Sequence, residues 1–277
     1  MTLLPEACLA LLFGLLIGSF LNVCIYRMPL DLSVVRPRSF CVACKHPIAW
    51  FDNVPVLSYV LLRGRCRYCR AKISPRYPVV EILTGALFFY YVWRLGPTLP
   101  ALKFCLYGAL LVGLIFCDLE ERILPDEFTL GGTAAGLVLA WFVPVNDGIV
   151  GGLLWLSGAH WTEHWISVAE AALGAALPTF VLWLGGWLYW KLRHREGLGL
   201  GDVKLMAMVG AFLGLRGALL TLIVGALLGS VVGYACIRIA HKDPASYELP
   251  FGTFLGIAAI AVSFAGPLVI SWYSSIN

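Results

Sequence analysis

Apolar runs long enough to cross a bilayer recur along almost the whole chain. Broken at charges, prolines and turn residues, the sequence leaves such runs near 6–26, 79–95, 101–117, 128–145, 167–190, 203–215, 217–237 and 250–272. A transmembrane helix needs about 20 predominantly apolar residues, and backbone surrounded by lipid must satisfy its own hydrogen bonds. The pattern therefore predicts an all-α polytopic membrane protein with about eight transmembrane helices, two of them short. Charged residues make up only 13% of the chain, about half the ~25% typical of soluble domains. A large soluble catalytic domain is excluded, so any chemistry has to be built from the ends of spans. The apolar stretch 148–158 is too short to cross and reads as a re-entrant or interfacial piece.

The basic residues are unevenly placed. Residues 29–78 hold nine Lys/Arg against two Asp/Glu, a net charge of +7. Further clusters follow at 191–201 (Lys191, Arg193, Arg195) and 238–249 (Arg238, Lys242). Eight spans put all three on one side, which the positive-inside rule makes the cytoplasm and which leaves both termini outside. The first run has no basic residue before it and no small-residue cleavage site after it, so it is expected to stay as a span. The expected layout is a first span at 1–28, a cytoplasmic loop module at 29–78 and a seven-span body at 79–277.

Within the basic module lie Cys41-Val-Ala-Cys44 and Cys66-Arg-Tyr-Cys69, separated by 21 residues. Two C-x2-C turns can each aim two sulfurs at one ion, completing a tetrahedral zinc site. Neighbouring Arg and Lys favour the thiolate. The competing readings are a pair of disulfides or four unrelated thiols; a cytoplasmic location disfavours disulfides. Four ligands leave no open position, so the expected zinc is structural and supplies folding energy to a loop poor in large apolar residues. Cys8, Cys24, Cys105, Cys117 and Cys236 sit singly in apolar runs and read as small buried hydrophobes.

Carboxylates at span boundaries are costly and need a reason. Asp118 follows an unbroken apolar run, and Asp202 opens a short one after Gly199-Leu200-Gly201. Asp202 could be a helix N-cap, as could Asp126 before the 128–145 run. Asp118 has no such explanation, because a carboxylate near a helix C-terminus is disfavoured by the dipole. Two carboxylates held close share one proton: one activates water while the other donates to a carbonyl oxygen, which hydrolyses a peptide bond without a metal. Gly197, Gly199 and Gly201 would let backbone approach a substrate strand and adopt positive φ.

Taken in order, these motifs resemble the bacterial prepilin peptidases, or type IV leader peptidases, of the membrane-embedded G-x-G-D aspartic protease group. The resemblance rests on a first span, the tetra-cysteine loop, Asp118-Leu-(x)5-Pro125-Asp126, and Gly199-Leu-Gly-Asp-Val-Lys-Leu205 followed by Gly210-Ala-Phe-Leu-Gly214. It implies that Asp118 and Asp202 are catalytic, with Asp126 in reserve. It further implies cleavage of the basic leader of type IV prepilins and type II secretion pseudopilins after a glycine at the cytoplasmic face, then N-methylation of the new N-terminus with S-adenosylmethionine. In the family a Gly–Lys pair just before the second C-x2-C is associated with methyl transfer; here it reads Gly64-Arg65, which keeps the charge but not the point-like geometry.

Glu120, Glu121, Asp126 and Glu127 could receive a basic leader, and the basic module could lie against anionic lipid, although positive-inside topology alone also accounts for it. Expected partners are the protein substrates and the bilayer of the bacterial inner membrane, with no nucleic acid; oligomeric state is open. The rival reading is a transporter or channel with a zinc-stabilised module, since intramembrane Asp and Gly-broken helices also bind ions. Against it, both acids lie at one face and no inverted repeat is evident.

Overall fold

A computed structural model describes the backbone of residues 3–195, 199–240 and 250–276, with side chains for 3–195, 199–235 and 250–265. Its elements are α1 (Leu4–Arg27), α2 (Leu57–Leu61), α3 (Arg76–Leu95), α4 (Leu99–Glu121), α5 (Asp126–Phe142), α6 (Ile149–Ser157), α7 (Glu163–Arg193), α8 (Leu200–Ala240) and α9 (Phe251–Ile276). Among the described residues the only β-pairing is two isolated bridges, Phe40 with Pro47 and Arg65 with Lys72. Five helices are long and apolar enough to span a membrane, beginning at Leu4, Arg76, Leu99, Glu163 and Leu200. Phe251–Ala265 is a shorter apolar helix, and α5 has 17 residues. This is an all-helical, multi-pass membrane protein.

Each of the eight apolar runs maps onto a helix, with 128–145 running past the end of α5 at Phe142, but 203–215 and 217–237 share α8. That helix breaks at Gly214, whose φ of 74° and ψ of −175° are non-helical. The break is held by Asp147, which accepts the Arg216 N–H at 3.0 Å and whose carboxylate fills the space a Cβ on Gly214 would need. The 148–158 stretch folds as α6, nine residues between Gly148 and Gly158, both left-handed. Of the expected 238–249 loop, residues 238–240 continue α8. His241 and Lys242, like Gly197 in the glycine motif, lie outside the described residues.

The chain divides into two compact units, Met1–Gly113 and Leu114–Asn277. In the first, α1 and α3 meet backbone to backbone. A Cβ on Gly14 would lie 2.8 Å from Gly85 Cα, and one on Gly18 would lie 2.6 Å from Glu81 Cα. Small residues one turn apart permit this approach, which drives helix association where lipid supplies no hydrophobic force. Asn22 crosses the same contact, donating from Nδ2 to the Tyr77 carbonyl at 3.0 Å. Glu81 accepts the Val56 N–H at 2.7 Å, tying the loop module to α3.

In the second unit α8 is the central element, packed by α5, α7 and α9. A Cβ on Gly174 of α7 would sit 2.5 Å from Gly214 C, and one on Gly210 would overlap the Gly174 carbonyl. Ser167 Oγ accepts the Val145 N–H at 2.9 Å and donates to the Ala140 carbonyl at 2.5 Å, fastening the end of α5 to α7. These contacts fix the height at which α8 presents its first turn.

Candidate active site and metal centre

Asp118 lies on the last turn of α4, which runs on to Glu121 instead of ending at residue 118. It is 5% exposed. Its Oδ2 accepts two hydrogen bonds from Thr253, the N–H at 2.6 Å and the hydroxyl at 2.8 Å. Thr253 is in the first turn of α9, where backbone N–H groups have no intrahelical acceptor, so the carboxylate completes that turn. Because an amide N–H can only donate, Oδ2 is the acceptor of that bond.

Asp202 stands in the first turn of α8, which starts at Leu200; the cap position is therefore Gly199, and Asp202 is not the helix cap. The two acids converge at Gly252. A Cβ built there would lie 3.1 Å from Asp202 Oδ1, 3.2 Å from Asp118 Cγ and 2.9 Å from Leu124 Cδ1. Leu124 is buried between Gly252 and Gly201, where a Cβ on Gly201 would come within 3.1 Å of its side chain. The turn after α4 is thus wedged between the first turns of α8 and α9, bringing both carboxyl groups to one side-chain-free spot.

The other expected residues have definite places. Gly201 does not adopt positive φ, contrary to the expectation for it. Gly201 is required by Leu124, whereas a Cβ on Gly199 would meet only Asp202 Oδ2, at 3.5 Å. Glu121 is exposed at the end of α4. Asp126 is the first residue of α5 and makes no capping bond. Its carboxylate instead takes Lys204 Nζ at 2.7 and 2.9 Å. Gly252, Thr253 and Leu124 went unnoticed in the sequence. The usable signal was Pro250-Phe-Gly-Thr253 opening the last apolar run on the same expected side as Asp118 and Asp202.

In the first unit the Sγ atoms of Cys41, Cys44, Cys66 and Cys69 all lie within 4.8 Å of one another, with Cys41 and Cys69 3.8 Å apart. Every one is a free thiol. A tetrahedral ion with Zn–S bonds of about 2.3 Å needs sulfurs about 3.8 Å apart, so the cluster fits a metal with slight contraction. The two knuckles repeat one design. Cys41 N–H donates to His46 O at 2.9 Å, as Cys66 N–H does to Ala71 O. Lys45 and Arg70, each just after the second cysteine, are both left-handed with φ of 60°. The backbone N–H groups of Cys69 and Tyr68 pull the Cys66 thiol down to about 7. Arg67 clamps Asp52 through Nε at 2.7 Å and holds that carboxyl below its usual range. Gly64 is left-handed (φ 65°) against the Tyr59 ring, and Arg65 is exposed beside Cys66.

Helices crossing a membrane with two carboxyl groups meeting at their ends are the arrangement a membrane-embedded aspartic peptidase requires. Two family models agree, the bacterial peptidase A24 N-terminal domain over residues 12–95 and the type IV leader peptidase family over residues 105–234. Among similar proteins named prepilin leader peptidase/N-methyltransferase, that of Myxococcus xanthus (strain DK1622) is 41% identical over 94% of this chain and 69% of its own length. That of Aeromonas hydrophila is 36% identical over 96% and 92%, and that of Pseudomonas putida 34% over 95% and 92%. No solved structure matches. The chain belongs to the type IV leader peptidase family.

Proposed function

We propose that this protein cleaves the basic leader of type IV prepilins and type II secretion pseudopilins after a glycine, and then methylates the new N-terminus. The observation that carries the peptidase reading is the meeting of Asp118 and Asp202 at Gly252. In this reading one carboxylate removes a proton from water, which attacks the scissile carbonyl carbon, while the carboxylic acid partner protonates the carbonyl oxygen. Collapse of the tetrahedral intermediate breaks the C–N bond: the proton taken from water passes to the leaving amine, and a hydroxyl of the intermediate returns its proton to the carboxylate that had donated one. Gly252 leaves room for the peptide, and Gly199 lets its strand run close to Asp202. Glu121 and Asp126 receive the basic leader.

The methyltransferase reading rests on the relatives' shared name and on the first unit. Zinc in the Cys41–Cys44–Cys66–Cys69 cluster would be structural, and S-adenosylmethionine would supply the methyl group, with Gly64 and Arg65 near it. In this reading the chain is laid out as a first span at 1–28, a cytoplasmic module at 29–78 and a peptidase body at 79–277. The basic module and the acids face the cytoplasm, with both termini outside, in the bacterial inner membrane. Incubating the purified protein with a prepilin and S-adenosylmethionine tests both activities by product mass. Cleavage that survives Asp118→Ala and Asp202→Ala removes the peptidase mechanism; no cofactor-dependent mass gain removes the methyltransferase.

A further inference from the structure

Beside α1, in the first unit, lies a cavity of about 360 Å³ whose lining includes neither of the two acids nor Gly64 and Arg65. Its wall runs along α1 through Leu16, Phe20 and Val23 to Arg27, and the loop closes it with Arg38 and Trp50. Leu16 and Arg27 are eleven residues apart, about 16 Å along a helix. The volume is that of a small-ligand site, for which about 300–1,000 Å³ is usual. The cavity is polarised along its length. Its α1 end, lined by Leu16, Phe20 and Val23 with Ser19 among them, lies within a span, and Leu16 and Phe20 are exposed on the helix surface. Its other end carries two guanidinium groups.

Neither group meets a carboxylate among the described residues. Arg27 is buried and donates to the Ser33 carbonyl at 2.9 Å and the Arg38 carbonyl at 3.5 Å, neither of which neutralises it. Arg38 has an exposed side chain. The surrounding module has a net charge of +7, and one of its two acids, Asp52, is committed to Arg67. A cationic occupant is therefore excluded, and a soluble anion has no use for the apolar wall. An acyl chain along Leu16, Phe20 and Val23 with a phosphate at Arg27 and Arg38 satisfies both ends. Trp50 is exposed at the mouth, where indole rings favour the membrane interface.

We infer that the cavity between α1 and residues 34–50 is a binding site for one anionic phospholipid. The test labels the full-length protein in nanodiscs with a phosphatidylglycerol bearing a photoreactive group in its acyl chain and maps the cross-links. Labelling is expected on residues 16–23, about fivefold above that by the matching phosphatidylcholine, with about a fivefold loss in Arg38→Gln. Leu16→Trp, which fills the α1 end of the cavity, should abolish it, and inorganic phosphate should not compete. Equal labelling by the two lipids, or labels spread over all the lipid-facing helices, would overturn the site in favour of ordinary boundary lipid. Loss of labelling to inorganic phosphate would identify a free-anion site instead, and unchanged labelling in either variant would also sink the proposal. None of these outcomes depends on catalytic activity.

Discussion

The cysteine cluster and the carboxylate pair are assembled in opposite ways. All four sulfurs come from residues 41–69, on two turns that repeat the same hydrogen bonds. The carboxylates come from α4 and α8, and the Thr253 that orients Asp118 is 135 residues away in sequence. The first site needs little beyond its own turns and an ion; the second exists only if three helix ends arrive at the same height. Damage to helix packing should therefore silence the acids and leave the metal in place, whereas loss of the metal should do the reverse.

The largest break in that symmetry is expected from Asp118→Ala or Asp202→Ala. Prepilin cleavage should fall by about 1,000-fold or more, with metal content by elemental analysis unchanged from the parent protein. Next comes Gly252→Ala, which sets a methyl group 3.1 Å from Asp202 Oδ1. Pushing the carboxylates apart should lower kcat by about 100-fold, with thermal unfolding in detergent little altered. Thr253→Val keeps the N–H to Asp118 Oδ2 but removes the hydroxyl; about a tenfold fall in kcat is expected, from one lost bond to a charged group. Cys41→Ser is the converse experiment: the metal and methylation should both be lost, while cleavage drops by less than about threefold if the cluster acts by holding its own loop together. The smallest effect is expected from Lys204→Met, which frees Asp126. KM for a prepilin with a basic leader should fall about twofold to threefold, as for one surface ion pair, and a leader stripped of its basic residues should respond less.

How much of this was legible in advance differs between the two sites for a physical reason. Metal ligands on tight turns are fixed by spacing alone, so C-x2-C repeated after 21 residues was enough to bring four cysteines together on paper. Asp118 and Asp202 were visible because a carboxylate at the end of an apolar run is expensive. What holds them was not visible, since Gly252, Thr253 and Leu124 are ordinary residues until packing gives them neighbours. The same limit explains Asp126 and Asp202. Each stood where a helix cap is common, but one pairs with Lys204 and the other lies inside the first turn of α8.

The apolar runs and their few charges by themselves determined that the chain is a helical membrane protein, because lipid permits no unsatisfied backbone. They also determined which residues are chemically capable. Tertiary structure decided the rest. The bare-backbone contacts of Gly14 and Gly18 with α3, and of Gly174 with Gly210, set how closely helices approach. The break at Gly214 divides α8, and Leu124, wedged between Gly201 and Gly252, fixes the point where two acids meet. Spacing along a chain specifies which groups exist near a membrane face; only close packing specifies which of them touch.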